Sequence, residues 1–246
     1  MMVVILAGGQ GKRLRPVTNW IAKALIPYRG KPIIEELIRR MEVLEPERIV
    51  VVVGWLGEQV KEYLGSSTPG GSKIEYVYQD TPKGTAHALL HASDLLEGDF
   101  IVSACDSLFP VGHLKDLWSC HASEGCDATL SLKIMDKKDI TSSSSVLLDS
   151  EGAISRIIEK PSEKEVLSRY ASSPLYVFSE AVKEHLPRVK RSVRGEYEIQ
   201  DAIQSMIDGG CRVKGVLSRE WVHLSDIEDF LRLNYDYLQR WLPRKG

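Results

Sequence analysis

The sequence predicts an α/β fold, a mainly parallel sheet with helices on both faces. Short apolar runs alternate with segments of helical periodicity through the first half of the chain. Ligands of such sheets bind beyond the carboxyl ends of the strands. Gly8, Gln79 and Asp106 each fall just past the end of an expected strand, so three chemically distinct features share one rim.

Val3-Val4-Ile5-Leu6 is a short apolar strand that runs into glycines. Ile33, Ile34, Leu37, Ile38, Met41 and Leu44 repeat with helical spacing, and Pro32 suits the first turn of that helix. Ile49 to Val53 is wholly apolar and β-branched, which marks a strand buried on both faces. Lys73 to Tyr78, Phe100 to Ala104 and Ala128 to Ile134 read as further strands, with helices over Gly84 to Leu96 and Gly112 to Ser123. The second half differs. Ser142 to Ser145 reads as a mobile loop, and 145–148 with 153–158 reads as a hairpin turning through Asp149-Ser150-Glu151-Gly152. A strand over Leu175 to Phe178 follows, then helices over Glu198 to Ile207 and Asp226 to Trp241.

The chain of 246 residues makes one large domain or a compact pair. With 43% hydrophobic and 27% charged residues it has the composition of a soluble globular protein. A net charge of -2 without a basic stripe argues against a nucleic-acid partner. The few apolar residues before the glycines are too short for a signal peptide or a membrane span, which makes the cytoplasm the expected compartment. Cys105, Cys120, Cys126 and Cys211 lack Cys-x-x-Cys spacing and read as buried, reduced thiols.

The segment Gly8-Gly9-Gln10-Gly11-Lys12-Arg13-Leu14-Arg15 is suited to phosphate. Glycine lets the backbone approach an anion and aim N–H groups at it. Arg13, Arg15 and Lys23 add positive charge. It is not a Walker A loop, which needs four residues between its glycines and Ser or Thr after Lys. Nor is it a dinucleotide fingerprint, since Leu14 stands where a third glycine or alanine is required. His87 and His91 sit four apart on an expected helix, a zinc-binding spacing, but Ala88 stands where a metalloprotease helix has glutamate.

Leu6-Ala7-Gly8-Gly9-x-Gly11-x-Arg13-Leu14-x-Pro16, with Lys23 and Pro27, resembles the signature of the sugar-1-phosphate nucleotidylyltransferases. Gly30-Lys31-Pro32, Gly84-Thr85-Ala86, Asp106, Glu159-Lys160-Pro161, Gly195-Glu196-Tyr197 and Trp221 match in the family's order. The resemblance implies a Rossmann-like fold with a smaller β insertion on the acceptor side. It implies one domain over 1–246, with a nucleotide half (1–135) and a sugar-phosphate half (136–246). The activity implied joins a nucleoside triphosphate, dTTP or UTP, to a sugar 1-phosphate and releases pyrophosphate. Leu6, Ala7, Gly8, Gly9, Gly11, Gln79, Gly84 and Thr85 would bind the nucleotide, with Gln79 reading the base. Arg13, Lys23 and Asp106 would be catalytic. Glu159, Lys160, Ser173 and Trp221 would hold the sugar phosphate. Asp106 would hold Mg²⁺, a hard ion suited to carboxylate oxygen.

The acceptor side departs from the family pattern. Ser172-Ser173-Pro174 replaces an Asn-Ala/Thr-Gly stretch, and Ser144-Ser145 replaces a Tyr-Gly pair. His223 stands where a second metal-binding Asp is common, which favours Mn²⁺ or Co²⁺ beside Mg²⁺. Lys12 replaces Thr or Ser. Two alternatives therefore stay open: a catalytically silent regulatory subunit of the same fold, and a mannose-1-phosphate guanylyltransferase. Relatives are often dimers or tetramers, but the sequence carries no oligomerisation signal.

Overall fold

In a computed structural model of the chain, which describes residues 1–240, one nine-stranded sheet runs through both halves. The elements of the first half are β1 (Met2–Ala7), β2 (Pro27–Tyr28), β3 (Lys31–Pro32), α1 (Ile33–Met41), β4 (Arg48–Val53), α2 (Gly57–Leu64) and β5 (Lys73–Tyr78). They continue with α3 (Thr85–His91), β6 (Phe100–Ala104), β7 (Ser107–Leu108), α4 (Val111–Glu124) and β8 (Ala128–Ile134). The second half contributes α5 (Lys137–Ile140), β9 (Ser144–Leu148), β10 (Ile154–Glu159), β11 (Tyr170–Phe178) and α6 (Val182–His185). It ends with α7 (Ile199–Asp208), β12 (Val213–Leu217), β13 (Val222–His223) and α8 (Ile227–Gln239).

The main path of the sheet is β10-β9-β11-β6-β1-β4-β5, with β8 paired to β11 and β12. β6, β1, β4 and β5 are all parallel. The chain leaves β1 toward β4 on one side and later returns to β6 on the other, so strand order reverses at β1. Crevices for ligands form at such switch points. β11 runs antiparallel to β6, β8 and β9, and it joins the two halves.

Alternation along the strands explains the helices on both faces. Val3, Ile5, Ile49, Val51 and Val53 point to one side, against Ile34, Leu37, Ile38 and Met41 of α1 and Leu117 of α4. Val4, Val50, Val52 and Val102 point to the other, against Ala88 and Leu89 of α3 and Ala202, Ile203 and Met206 of α7. Both sets are buried, as expected for parallel strands covered twice. Charges support α1 as well, with Glu35 and Glu36 in its first turn and Arg39 and Arg40 in its last.

Several expectations change in detail. The helix expected over 84–96 is α3 followed by a 3₁₀ turn, Ser93–Leu95. The serine run is not a mobile loop at its end. Ser144 and Ser145 open β9 and are fully buried, because their hydroxyls take over backbone partners. Ser145 Oγ accepts from the Leu167 amide at 2.9 Å, and Ser144 Oγ accepts from the Ser172 amide at 2.8 Å. The hairpin of β9 and β10 forms as expected, and the Asp149 carboxylate accepts from the Glu151 and Ala153 amides at 2.9 Å each. α8 stops at Gln239, and the expected end of this helix at Trp241 lies outside the described residues. Cys105 and Cys126 are buried, but Cys120 and Cys211 are only half-buried; all four thiols are free. Among the described residues no helix is long and apolar enough to cross a membrane.

At the switch point β1 and β4 end side by side in glycine. A Cβ on Gly54 would lie 2.8 Å from the Gly8 carbonyl oxygen, 3.0 Å from Gly8 Cα and 3.2 Å from the Gln79 carbonyl oxygen, all of them backbone. Backbone on two strands cannot step aside as a side chain can. Gly54→Ala is therefore expected to cost about 1–3 kcal/mol, the usual weight of overpacking. Thermal unfolding checks this, and a midpoint equal to the parent's would mean the two loops are not in contact.

Candidate active site

A cavity of about 350 Å³ opens where β1, β5 and β6 end. Leu6, Gly8, Gly9, Gly11, Arg13, Lys23, Gln79, Gly84 and Thr85, nine of the expected residues, line it; Ala7 is buried one step back on β1. Lys12 and Glu196 also line it. Gly11 and Gly84 are glycine for local reasons. Gly11 has φ +58° and lies so close to Thr18 Cγ2 that a Cβ would approach within 2.8 Å. A Cβ on Gly9 would meet nothing within 4 Å, so this residue faces open space. Gly84 has φ +116°, and a Cβ there would come within 2.4 Å of the Tyr197 carbonyl oxygen. What demands glycine at 84 is thus the neighbouring backbone, in addition to any base lying against it.

The loop after β1 is fixed from α2 and the turn before it. Thr18 Oγ1 donates to the Gly11 carbonyl at 2.9 Å, and Trp55 Nε1 donates to the Thr18 carbonyl at 2.9 Å. Gln59 accepts from the Ala22 amide at 2.9 Å and donates to the Trp20 carbonyl at 2.8 Å. Gly54, Trp55 and Gln59 do not stand out in the sequence. The only signal was a glycine directly after a fully apolar strand.

Lys23 leaves this loop and places its ammonium on the carboxylate of Asp106, two residues beyond β6. β13 pairs with β7, setting His223 opposite Ser107, and its Nε2 lies 3.5 Å from Asp106 Oδ2. Burial alone would raise the Asp106 carboxyl, but Lys23 and then His223 hold it well below the usual carboxylate range. Burial alone would lower Lys23, and Asp106 reverses this, leaving the ammonium raised. Both groups are charged at neutral pH. The stability from the lowered Asp106 is present above the unfolded carboxylate pKa of about 3.9 and is lost as pH falls below it. That from the raised Lys23 is present below the unfolded ammonium pKa of about 10.4 and is lost as pH rises above it.

The acceptor residues gather around Glu159 at the end of β10. Its carboxylate lies 4.0 Å from Lys160 Nζ and 3.8 Å from Arg194, which also holds Glu198 at 2.6 Å. Burial, then Glu198, pushes the Glu159 carboxyl up to about 7 against the pull of Lys160 and Arg194. Lys160 has φ +44°, and its amide donates to the Ser143 carbonyl at 2.6 Å. Lys133 lies 5.2 Å from the Trp221 ring centroid, a cation–π contact. Ser173 is placed differently. It is fully buried in the irregular stretch of β11, where Pro174 has no N–H, and its hydroxyl has no partner among the described residues. Arg194 and Lys133 escaped sequence reasoning, although Arg194 directly precedes the Gly195-Glu196-Tyr197 stretch. His87 and His91 do not form a zinc site: among the described residues no three His, Cys, Asp or Glu side chains gather to hold a metal, and His87 Nδ1 lies 2.8 Å from Gln79 Nε2.

Asp106→Asn and Lys23→Gln each strand a buried partner and are expected to cost about 3–5 kcal/mol. The double variant should lose about 1–3 kcal/mol less than their sum, as coupled neighbours do. Denaturant unfolding of the four proteins checks this. Strictly additive losses would mean the two side chains do not hold each other.

Comparison with known proteins gives the family and the fold. The glucose-1-phosphate thymidylyltransferase of Streptomyces griseus is 33% identical over 249 residues, 99% of this chain and 68% of that protein. The UTP--glucose-1-phosphate uridylyltransferase AglF of Haloferax volcanii is 31% identical over 221 residues, 90% of this chain and 89% of that protein. The crystal structure of a UDP-glucose pyrophosphorylase complexed with UDP-glucose superposes with a TM-score of 0.87 at 20% identity, covering 97% of this chain and 98% of that one, and so shares the fold. The family model described as "Nucleotidyl transferase" matches residues 2–240. With its glycine loop, Lys23 and Asp106 assembled at the switch point of the sheet, the chain belongs to the nucleotidyl transferase family.

Proposed function

We propose that the chain transfers a nucleotidyl group from UTP or dTTP to a sugar 1-phosphate and releases pyrophosphate. The observation that carries this reading is the Lys23–Asp106 pair, in which Lys23 lines the glycine-lined cavity and Asp106 lies beside His223 of β13, the strand that Trp221 directly precedes. A sugar phosphate has a second pKa of about 6 and is already largely a dianion at neutral pH. No general base is needed. Its oxygen attacks the α-phosphorus in line, a new P–O bond forms, and the bond from the α-phosphorus to the bridging oxygen of pyrophosphate breaks.

The barrier is the approach of two anions and the charge that builds on the leaving group. Backbone amides at Gly8, Gly9 and Gly11 with Arg13 would bind the triphosphate, and Gln79 would read the base. Lys23 would move from Asp106 to the α-phosphate. Glu159, Lys160 and Arg194 would receive the sugar phosphate in the second half, 136–246, with 1–135 as the nucleotide half. A divalent cation is the natural replacement for an ammonium on Asp106, and His223 would be its second protein ligand. With only two such side chains, phosphate oxygens and water would complete the shell; the carboxylate suits Mg²⁺, whereas the imidazole is a poor ligand for it and suits Mn²⁺ or Co²⁺ better. Bound there, the cation would supply charge neutralisation for the departing pyrophosphate.

The test is pyrophosphate release from UTP, dTTP, CTP and GTP with a panel of sugar 1-phosphates, with and without a divalent cation. Arg13→Ala should raise KM for the triphosphate and Lys160→Ala that for the sugar phosphate, each by ~10-fold or more, the weight of a hydrogen bond to a charged group. Loss of the same substrate in both variants would refute the division of the cleft. No pyrophosphate from any pair would favour the silent regulatory subunit.

Glu159 adds a pH dependence. Its carboxyl ionises near 7, and the carboxylate then competes with substrate phosphate for Lys160 and Arg194. KM for the sugar phosphate is expected to rise between about pH 6 and pH 8, and Glu159→Gln to flatten that rise. The same slope in the Gln variant would remove Glu159 from acceptor recognition.

A further inference from the structure

We propose that His87 fixes the orientation of the Gln79 side-chain amide, so that Gln79 offers an incoming base an acceptor and no donor, selecting bases with a ring N–H. The inference rests on the reading above that Gln79 contacts the base. Gln79 is 4% exposed at the end of β5. Its Nε2 lies 3.3 Å from the Gly84 carbonyl and 2.8 Å from His87 Nδ1. A backbone carbonyl only accepts, so the amide nitrogen must face that side. Of its two hydrogens, one goes to Gly84 and the other to Nδ1. That second bond requires a lone pair on Nδ1, hence a neutral His87 protonated on Nε2.

The opposite edge of the amide is then its oxygen. Oε1 lies 2.9 Å from where a Gly8 Cβ would stand, on the side of the glycine loop, and Gln79, Gly8 and Gly84 line one cavity. Uracil and thymine donate from N3–H to such an oxygen, and guanine from N1–H. Cytosine N3 and adenine N1 are bare acceptors and would set a ring-nitrogen lone pair against that oxygen. The donor left over on a free glutamine, which would let the amide rotate to suit either class, is engaged.

His87 is itself held. Its ring stacks on Tyr197 with centroids 5.9 Å apart and meets the His91 edge at 4.6 Å. Tyr197 is pinned to the loop before α3, its amide donating to the Lys83 carbonyl at 2.7 Å and its carbonyl accepting from the Ala86 amide at 3.0 Å. The titratable groups around the ring are His91 and Lys83, both of which oppose a positive charge on it, and the Tyr197 phenol. Burial, then His91 and Lys83, lowers the His87 pKa below its usual value, which keeps the acceptor lone pair at neutral pH. Protonation would set N–H against N–H. The amide could then turn over only by giving up Gly84, and it would present a donor to the base.

Calorimetric titration of the whole chain with UTP and with CTP, in Mg²⁺, tests this on the parent, His87→Ala and His87→Asn. Asn places an oxygen close to the position of Nδ1 and does not titrate. The parent should prefer UTP by at least ~10²-fold, since a site built to accept a substrate N–H rejects the analogue lacking it. His87→Ala should cut that ratio at least tenfold, and His87→Asn should keep it. The parent's ratio should hold at neutral pH and fall only as pH drops below the usual imidazole value of about 6.5, where the ring takes up a proton, and the Asn variant's should not fall. A ratio unchanged in His87→Ala, with both affinities reduced alike, would reduce His87 to a packing residue and overturn the proposal. Should the Ala variant not fold, a pH-independent ratio in the parent does the same. Selective UTP binding without pyrophosphate release in any assay would overturn the catalytic reading and leave this one standing.

Discussion

The site depends on one ion pair. Asp106 follows β6 by two residues, Lys23 lies at the far end of the loop that leaves β1, and these two strands are neighbours in the parallel sheet. Hydrogen bonding puts the strand ends next to each other, and the pair then decides what they become: an anion and a cation held apart from bulk water. His223 reaches the same carboxylate through the short β7–β13 ladder, so three distant parts of the chain converge on one oxygen. An ammonium on a buried carboxylate is also an electrostatic reservation. It keeps the carboxylate ionised.

Much of this was legible because burial on two faces writes itself into composition. β4 is five β-branched residues in a row after Arg48, and α1 repeats its apolar positions over two turns. The glycine loop was legible for the opposite reason, since so many glycines beside arginines have few structural uses. The features that were missed rely on partners far away in the chain. α2 buries only Gly57 and Val60, so no apolar stripe announces it, yet its Gln59 holds the loop after β1. β12 is interrupted by Lys214 and Gly215 and is a strand because β8 offers a parallel edge.

Hydroxyl groups gave the sharpest disagreement. A serine run looks like solvated chain, and Ser144 and Ser145 are instead buried caps for amides at 167, 168 and 172. Whether a small hydroxyl is wet or buried is settled by the donor opposite it, and sequence spacing carries no trace of a partner more than twenty residues away. Arg194 is the charged counterpart. Its weight comes from Glu159, which lies thirty-five positions earlier and reaches it only through the fold.

β11 has a mechanical consequence. It pairs with β8 along one edge and with β6 and β9 on the other, so the strands of the first half and those of the second belong to a single hydrogen-bonded sheet. Enzymes that enclose two substrates by swinging rigid lobes need a hinge between them, and here a hinge would have to tear ladder hydrogen bonds. The glycine-lined cavity and the Glu159 cluster are therefore held at a set distance by the sheet itself. Orientation is built in at folding, and any enclosure of the reactants falls to the loops along the rim, which can move without bending the sheet.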